Sequence, residues 1–224
     1  MPLGERELAF LKEALPFWEK LTDAQRGLIK RNAVLRRFPA GAVLHNGPDD
    51  CAGLFVIRSG QVRSFILSPA GREVTMFRLF ERDVCIFSAS CMMKDIRFDI
   101  HTQAAEDSST ILIPTAVYKE LSESSLPVAD YTNRLLSSRF SDVMWLLEQI
   151  LFMSFDRRLA LFLLEHAGPG GELKATHEEI ARDMGTAREV VTRMLRYFQS
   201  EGMVRLSRGR VALADVKKLE KMAK

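Results

Sequence analysis

Thr176-His177-Glu178-Glu179-Ile180-Ala181-Arg182-Asp183-Met184-Gly185-Thr186-Ala187-Arg188-Glu189-Val190-Val191-Thr192-Arg193-Met194-Leu195 decides how the C-terminal part of the chain folds. Thr176 stands three residues before Glu179, and Thr186 three before Glu189. Each pair can close a capping box, in which hydroxyl and carboxylate satisfy orphan backbone donors reciprocally. Two helices are therefore expected to start ten residues apart. Gly185 lies between them, where a residue without a Cβ takes the positive φ that ends a helix and turns the chain. That spacing predicts a helix-turn-helix.

At about 100° per residue the second helix separates into two faces. Arg188, Glu189, Thr192, Arg193 and Arg196 share a polar arc, and Val190, Val191, Met194, Leu195, Tyr197 and Phe198 fill the other side. Arginine can donate two bonds to guanine O6 and N7, and glutamate can accept from the cytosine amino group. Arg188, Glu189 and Arg193 therefore suit a major groove, with Thr176, Thr186, Thr192 and Arg196 in supporting positions. A solvated helix face would carry similar charges, but the capped helix and glycine turn in front favour the reading role. Glu189 has two claims on it, the cap and a base.

The segment that follows extends the pattern. Gly202 can stop the second helix, and Met203–Leu206 and Arg210–Leu213 read as short strands around Ser207-Arg208-Gly209. This is a winged arrangement, and Arg205, Arg208 and Arg210 would meet phosphates, which supply affinity and register without sequence information. Charge is segregated accordingly. The 224-residue chain carries +3, while residues 171–224 hold 12 basic and 8 acidic residues, or +4, leaving −1 elsewhere.

Upstream the pattern changes. Residues 5 to about 37 carry helical patches, with Leu8, Leu11 and Leu15 at helix spacing and Thr22-Asp23 before another helical stretch. From Phe38 to Ile113 come short apolar runs, at 43–44, 54–57, 62–67, 74–77 and 111–113, punctuated by turn residues at Pro39-Ala40-Gly41, Ser59-Gly60 and Ser68-Pro69-Ala70-Gly71. Many short strands so separated predict a small antiparallel roll or barrel. A cupin-type metal enzyme would need several converging imidazoles. The roll contains only His45 and His101, neither in a His-x-His pair, so no catalytic or metal-binding residue is expected.

Between roll and reader, Pro127 to Met153 contains no glycine and no further proline. Leu136, Val143, Leu146, Ile150 and Met153 recur at helical intervals, which predicts one long helix with an apolar seam. Such a helix suits a homodimer, since dimer symmetry mirrors operator symmetry. The expected layout is α+β: a roll with N-terminal helices over 1–126, a dimerisation helix over 127–154, and a winged helix-turn-helix over 155–224. No apolar run is long enough to span a bilayer and no secretory signal opens the chain, so a cytoplasmic protein without membrane contact is expected. Three cysteines without a CxxC pair fit a reducing compartment better than a disulfide scaffold.

On these residues the chain resembles the cyclic-AMP receptor protein and fumarate-nitrate regulator (CRP/FNR) superfamily over nearly its whole length. Arg188-Glu189-Val190-Val191-Thr192-Arg193 fits that family's Arg-Glu-x-x-x-Arg reading pattern, and the phrases Phe55–Val62 and Gly71–Val74 resemble its β-roll sensor. The resemblance implies a cyclic-nucleotide-binding-like roll and a transcription regulator. It further implies a homodimer on a palindromic double-stranded DNA operator with TGA-like half-sites, RNA polymerase as a further partner, and an effector that the resemblance does not name. A nucleotide-binding signalling module without transcriptional output is the alternative.

The signal is not expected to be cyclic AMP. Family members that bind it carry Gly-Glu-Leu for the ribose and Arg-Ser for the phosphate, whereas here Asp83 is followed by Val84-Cys85-Ile86-Phe87-Ser88-Ala89-Ser90-Cys91, and Phe98-Asp99 stands where Arg-Ser would align. An iron–sulfur cluster is not expected either, because it needs four ligands and no cysteine precedes Cys51. The candidate effector-sensing residues are Cys85, Phe87, Ser88, Cys91, Arg97 and His101. Cys85 and Cys91 fit either a thiol sensor, with charge from Lys94 or Arg97, or small buried hydrophobes.

Overall fold

The computed structural model describes residues 3–47, 51–92 and 99–224. It divides into two compact units, Met1–Leu67 with Met76–Val143, and Ser68–Thr75 with Met144–Lys224.

Among the described residues, the first unit holds the strands β1 (Val34–Phe38), β2 (Val43–Asn46), β3 (Gly53–Ser59), β4 (Val62–Leu67), β5 (Glu73–Leu79, whose first three residues are counted with the second unit), β6 (Val84–Cys85), β7 (His101–Ala104) and β8 (Ser108–Pro114). They form two four-stranded sheets, ordered β1-β8-β3-β6 and β2-β7-β4-β5. β3 carries an apolar run at 54–57 and β8 one at 111–113, and both strands sit inside the first sheet with Leu54, Val56, Ile57, Ile111 and Ile113 fully buried. The antiparallel roll expected from the turn residues is present.

Among the described residues, the helices α1 (Glu5–Ala14), α2 (Asp23–Asn32) and α3 (Thr115–Ser124) cover it. Thr22 caps α2 in a capping box with Gln25, as the Thr22-Asp23 pair suggests. One expectation fails here. Residues 34–37, expected to end a helical region, form with Phe38 a strand, Val34–Phe38, paired antiparallel with residues 108–112. Its five residues carry too short a pattern to declare a strand, and its partner lies more than seventy residues away. β6 and β7 were missed for the same reason, being two and four residues long.

α4 (Leu126–Phe152) is the long uninterrupted helix expected from the glycine-free stretch. Its N-terminal part contributes to the roll's core, where Val128 is fully buried and Tyr131, Leu135 and Leu136 pack. Leu136 is thus a core contact within its own unit, not a free seam position. Ile150 of the expected row is 43% exposed, and beside it runs a second exposed apolar row: Phe140, Met144, Leu147 and Leu151 are 66%, 45%, 43% and 63% exposed. Their 4-3-4 spacing is that of a heptad seam.

The second unit holds α5 (Phe155–His166), β9 (Glu172–Leu173), α6 (His177–Met184), α7 (Arg188–Ser200), β10 (Val204–Ser207), β11 (Arg210–Leu213) and α8 (Val216–Ala223). Leu159, Leu163, Ile180, Val191, Leu195, Phe198, Val211 and Leu219 close one separate core. α8 has no counterpart in the sequence reading. It is short, starts on Asp215, which accepts from Lys218 N at 3.0 Å, and docks Leu219 beside α5.

Candidate nucleic-acid interface

The supporting helix starts as its residues dictate. Thr176 is the N-cap of α6; its hydroxyl accepts from Glu179 N at 3.2 Å, and Glu179 Oε2 accepts from Thr176 N at 2.6 Å and from Thr176 Oγ1 at 2.8 Å. The helix ends at Gly185 in the left-handed region, φ 64° and ψ 37°. Thr186 N then donates to Ala181 O at 2.9 Å, and Gly185 N to Arg182 O at 3.4 Å. These two bonds are a Schellman closure.

That closure overturns the second capping box. The N-cap of α7 is Ala187, with no side-chain cap, so Glu189 sits one position too early to reach back as an N3 residue. The Thr186 N–H that Glu189 would have satisfied is already spent on Ala181. Glu189 is therefore not a capping residue and stays exposed on the polar face of α7. The negative charge in the first turn still suits the positive end of the helix dipole.

α7 separates its faces as its periodicity requires. Val191, Leu195 and Phe198 are fully buried, whereas Arg188, Glu189, Arg193 and Arg196 are exposed and Thr192 is half-buried. These five polar residues line an open hollow of about 450 Å³. Tyr197 departs from expectation. Placed on the packing side by its angle, it is 47% exposed with its ring 6.1 Å from that of Phe198, because the core is closed by Phe198 one residue on.

The wing is a two-stranded hairpin with Ser207 opposite Arg210 and Gly209 at φ 69°. Arg205, Arg208 and Arg210 are all exposed. Arg210 is also paired: its Nη1 lies 3.4 Å from Glu172 Oε1 on β9, the third strand of this sheet. An exposed pair of this kind is weak and readily exchanged.

Two features of this unit had no signal in the sequence reading. His177, the first residue of α6, places Nδ1 3.0 Å from Thr192 Oγ1 on α7. Burial, then the charges of Arg188 and Arg196, holds its pKa below the ordinary histidine value. The segment Ser68–Thr75 also belongs to this unit: Thr75 Oγ1 donates to Asp183 Oδ1 at 2.9 Å, and Arg182 Nε lies 3.8 Å from Glu73 Oε2. No local pattern announces a contact across more than a hundred residues.

The effector-sensing candidates fall in different places. Cys85 is a free thiol, 1% exposed, with Sγ 3.8 Å from Thr102 Oγ1. Ser88 is fully buried and donates to Gly53 O at 2.6 Å and Cys85 O at 3.0 Å, fastening the 3₁₀ turn Phe87–Met92 to β3. Phe87 packs its ring 5.7 Å from that of Phe77. His101 stacks on Phe65 and places Nδ1 2.9 Å from Asn46 Oδ1. Cys91 lies in the Phe87–Met92 turn, and Arg97 outside the described residues. Cys51 is disulfide-bonded, which departs from the reading of the cysteines as reduced. Among the described residues no cluster of three or more His, Cys, Asp or Glu could hold a metal ion, and no helix is long and apolar enough to cross a membrane.

Comparison with known proteins agrees with this architecture. Residues 157–222 match the Crp-like helix-turn-helix domain. HlyX, a regulatory protein of Actinobacillus pleuropneumoniae, is 28% identical over 185 residues, covering 77% of this chain and 75% of that protein. The cyclic AMP receptor protein of Thermus thermophilus is 28% identical over 190 residues, 84% and 87% of the two chains. A crystal structure from Eubacterium rectale, described as a transcriptional regulator of the CRP/FNR family, is 48% identical, covers 94% of this chain and 99% of its own, and superposes with a TM-score of 0.90. With an α+β fold, a Crp-like reader and a relative this similar over its full length, the chain belongs to the CRP/FNR family of transcription regulators.

Proposed function

We propose that the protein is a homodimeric, sequence-specific regulator that reads a palindromic operator with TGA-like half-sites through α7. The observation that carries this is the reading face, where Arg188, Glu189, Thr192 and Arg193 line one open hollow while the opposite side of the same helix is sealed in the core. Arg188, Glu189 and Arg193 are the base readers, and Arg196, Arg205, Arg208 and Arg210 the phosphate contacts. Thr176 and Thr186 act in support, through the cap of α6 and the Schellman turn. Arg193→Ala should weaken operator binding by about 1–3 kcal/mol and relax selectivity at one base pair. Competition between operator and scrambled duplexes measures this; undiminished discrimination would remove Arg193 from the readers.

The homodimer rests on the exposed seam of α4. Phe140, Met144, Leu147 and Leu151 form an apolar row that water would otherwise wet, flanked by Trp145 at 49% and Phe152 at 79% exposure. Leu147→Glu should raise the dimer dissociation constant roughly 100- to 5,000-fold, since stranding an unpaired charge in an interface costs about 3–5 kcal/mol. Analytical ultracentrifugation would read it, and an unchanged sedimentation coefficient at low concentration would place the interface elsewhere.

The controlling signal in this reading is a small molecule or a redox change other than cyclic AMP, acting on the roll near Cys85, Phe87, Ser88, Cys91, Arg97 and His101. It must favour one arrangement of the dimer to shift the population. RNA polymerase is the further partner and the cytoplasm the compartment. A signalling module without transcriptional output is disfavoured by the reading face itself.

A further inference from the structure

The His177–Thr192 contact joins the supporting helix to the middle of the reading face. Threonine within a helix divides between two χ1 rotamers, because its hydroxyl can fall back on the carbonyl three or four residues earlier. Here the hydroxyl is 3.0 Å from His177 Nδ1 instead. The rotamer matters because the two branches of the side chain read different things. A threonine methyl packs on a thymine methyl, and its hydroxyl bonds to either a donor or an acceptor edge. Thr192 shares its hollow with Arg188, Glu189, Arg193 and Arg196, so any turn about χ1 happens in the reading site.

The imidazole suits a fixed grip. It is half-buried and flanked by Arg188 and Arg196, which disfavour its cation. A neutral ring keeps one donor and one acceptor nitrogen, so a single tautomer satisfies the Thr192 bond. Its place at the first position of α6, a helix pinned by the Thr176 capping box, leaves the ring little freedom to follow Thr192.

We propose that His177 is a positioning residue for base reading: by holding the Thr192 hydroxyl it fixes the Thr192 rotamer, and thereby sets selectivity at the base pair Thr192 meets. This rests on α7 being the base-reading helix. A net hydrogen bond holds one rotamer roughly 2- to 10-fold over its competitor, which is the size of selectivity at stake.

The test uses the full-length protein. Selection from a randomised duplex library with the wild type defines an operator. Dissociation constants are then measured at two salt concentrations for that operator and for every single base-pair change in one half-site. The proteins compared are wild type, His177→Phe, His177→Asn and Thr192→Val. His177→Phe keeps a ring and loses the bond, and His177→Asn keeps a group able to bond near the Nδ1 position. Thr192→Val approaches the same contact from the other side with an isosteric side chain. The expected result is a roughly 2- to 10-fold loss of discrimination in His177→Phe at one base pair. Thr192→Val should lose discrimination at that same base pair, His177→Asn should retain most of it, and the salt slopes should not change. Uniform weakening across all base pairs, or a salt slope reduced by about one, would make His177 a scaffold or phosphate residue and overturn the proposal. So would an unchanged profile in both His177→Phe and Thr192→Val. If the wild type selects no operator, the base-reading role of α7 fails first; if it selects one and the His177 variants follow it throughout, only the positioning role falls.

Discussion

Phe198→Ala should destabilise the reader unit by about 3–5 kcal/mol, the usual cost of truncating a buried phenylalanine. Phe198 is fully buried in a core that also holds Leu159, Leu163, Ile180, Val191, Leu195, Val211 and Leu219. It sits near the end of α7 at the junction with β10, where Met203 N returns to Phe198 O at 2.9 Å. Removing the ring therefore loosens the packing of the reading helix against α5 and the wing together. A unit this small has a stability of only about 5–15 kcal/mol, so the loss takes a large share of the whole. Urea unfolding monitored by circular dichroism measures it, with operator affinity falling as the reader population unfolds. A midpoint within error of wild type would mean that the core is not closed by this ring.

A second large effect belongs to the roll. Gly53→Ala should cost about 3–5 kcal/mol, combining backbone strain with overpacking. Gly53 opens β3 at φ 137°, where side chains other than glycine's are strained. A Cβ there would stand 2.2 Å from the Ile113 carbonyl oxygen and 2.9 Å from Pro114 Cα, both backbone atoms that cannot swing away. The Gly53 carbonyl also receives the Ser88 hydroxyl, so a shift of this strand end would disturb the turn at Phe87–Met92. The expected signature is a lower melting temperature of the roll while a separately measured reader transition holds. A fully stable Gly53→Ala would show that the β3–β8 junction can open without penalty.

Local chemistry explains why much of the C-terminal unit is legible in the sequence. The Thr176/Glu179 box and the positive φ of Gly185 depend on residues within one turn of each other, and both are present. The two-faced character of α7 follows from periodicity alone, and Val191, Leu195 and Phe198 are buried as that periodicity requires. The second cap failed for an equally physical reason. Whether Glu189 could reach Thr186 N–H depended on whether that donor was still unclaimed, and the Schellman bond to Ala181 had claimed it. Periodicity likewise marked α4 as a long apolar helix, but it could not say which of its rows is covered by the roll. Leu136 packs there, and Phe140, Met144, Leu147 and Leu151 are left outside.

By itself, then, the sequence determined what short-range forces decide: the capped supporting helix, the glycine turn, the faces of the reading helix, the basic hairpin and the punctuation of the roll. Only the tertiary structure decided what depends on groups far apart in the chain. It paired Val34–Phe38 with Ser108–Leu112, set His177 against Thr192, brought Thr75 to Asp183 and released Glu189 from its cap. The division has a physical cause. Capping and periodicity are satisfied within a turn or two of helix, whereas a hydrogen bond between distant segments exists only once the packing of both cores has brought its two ends together.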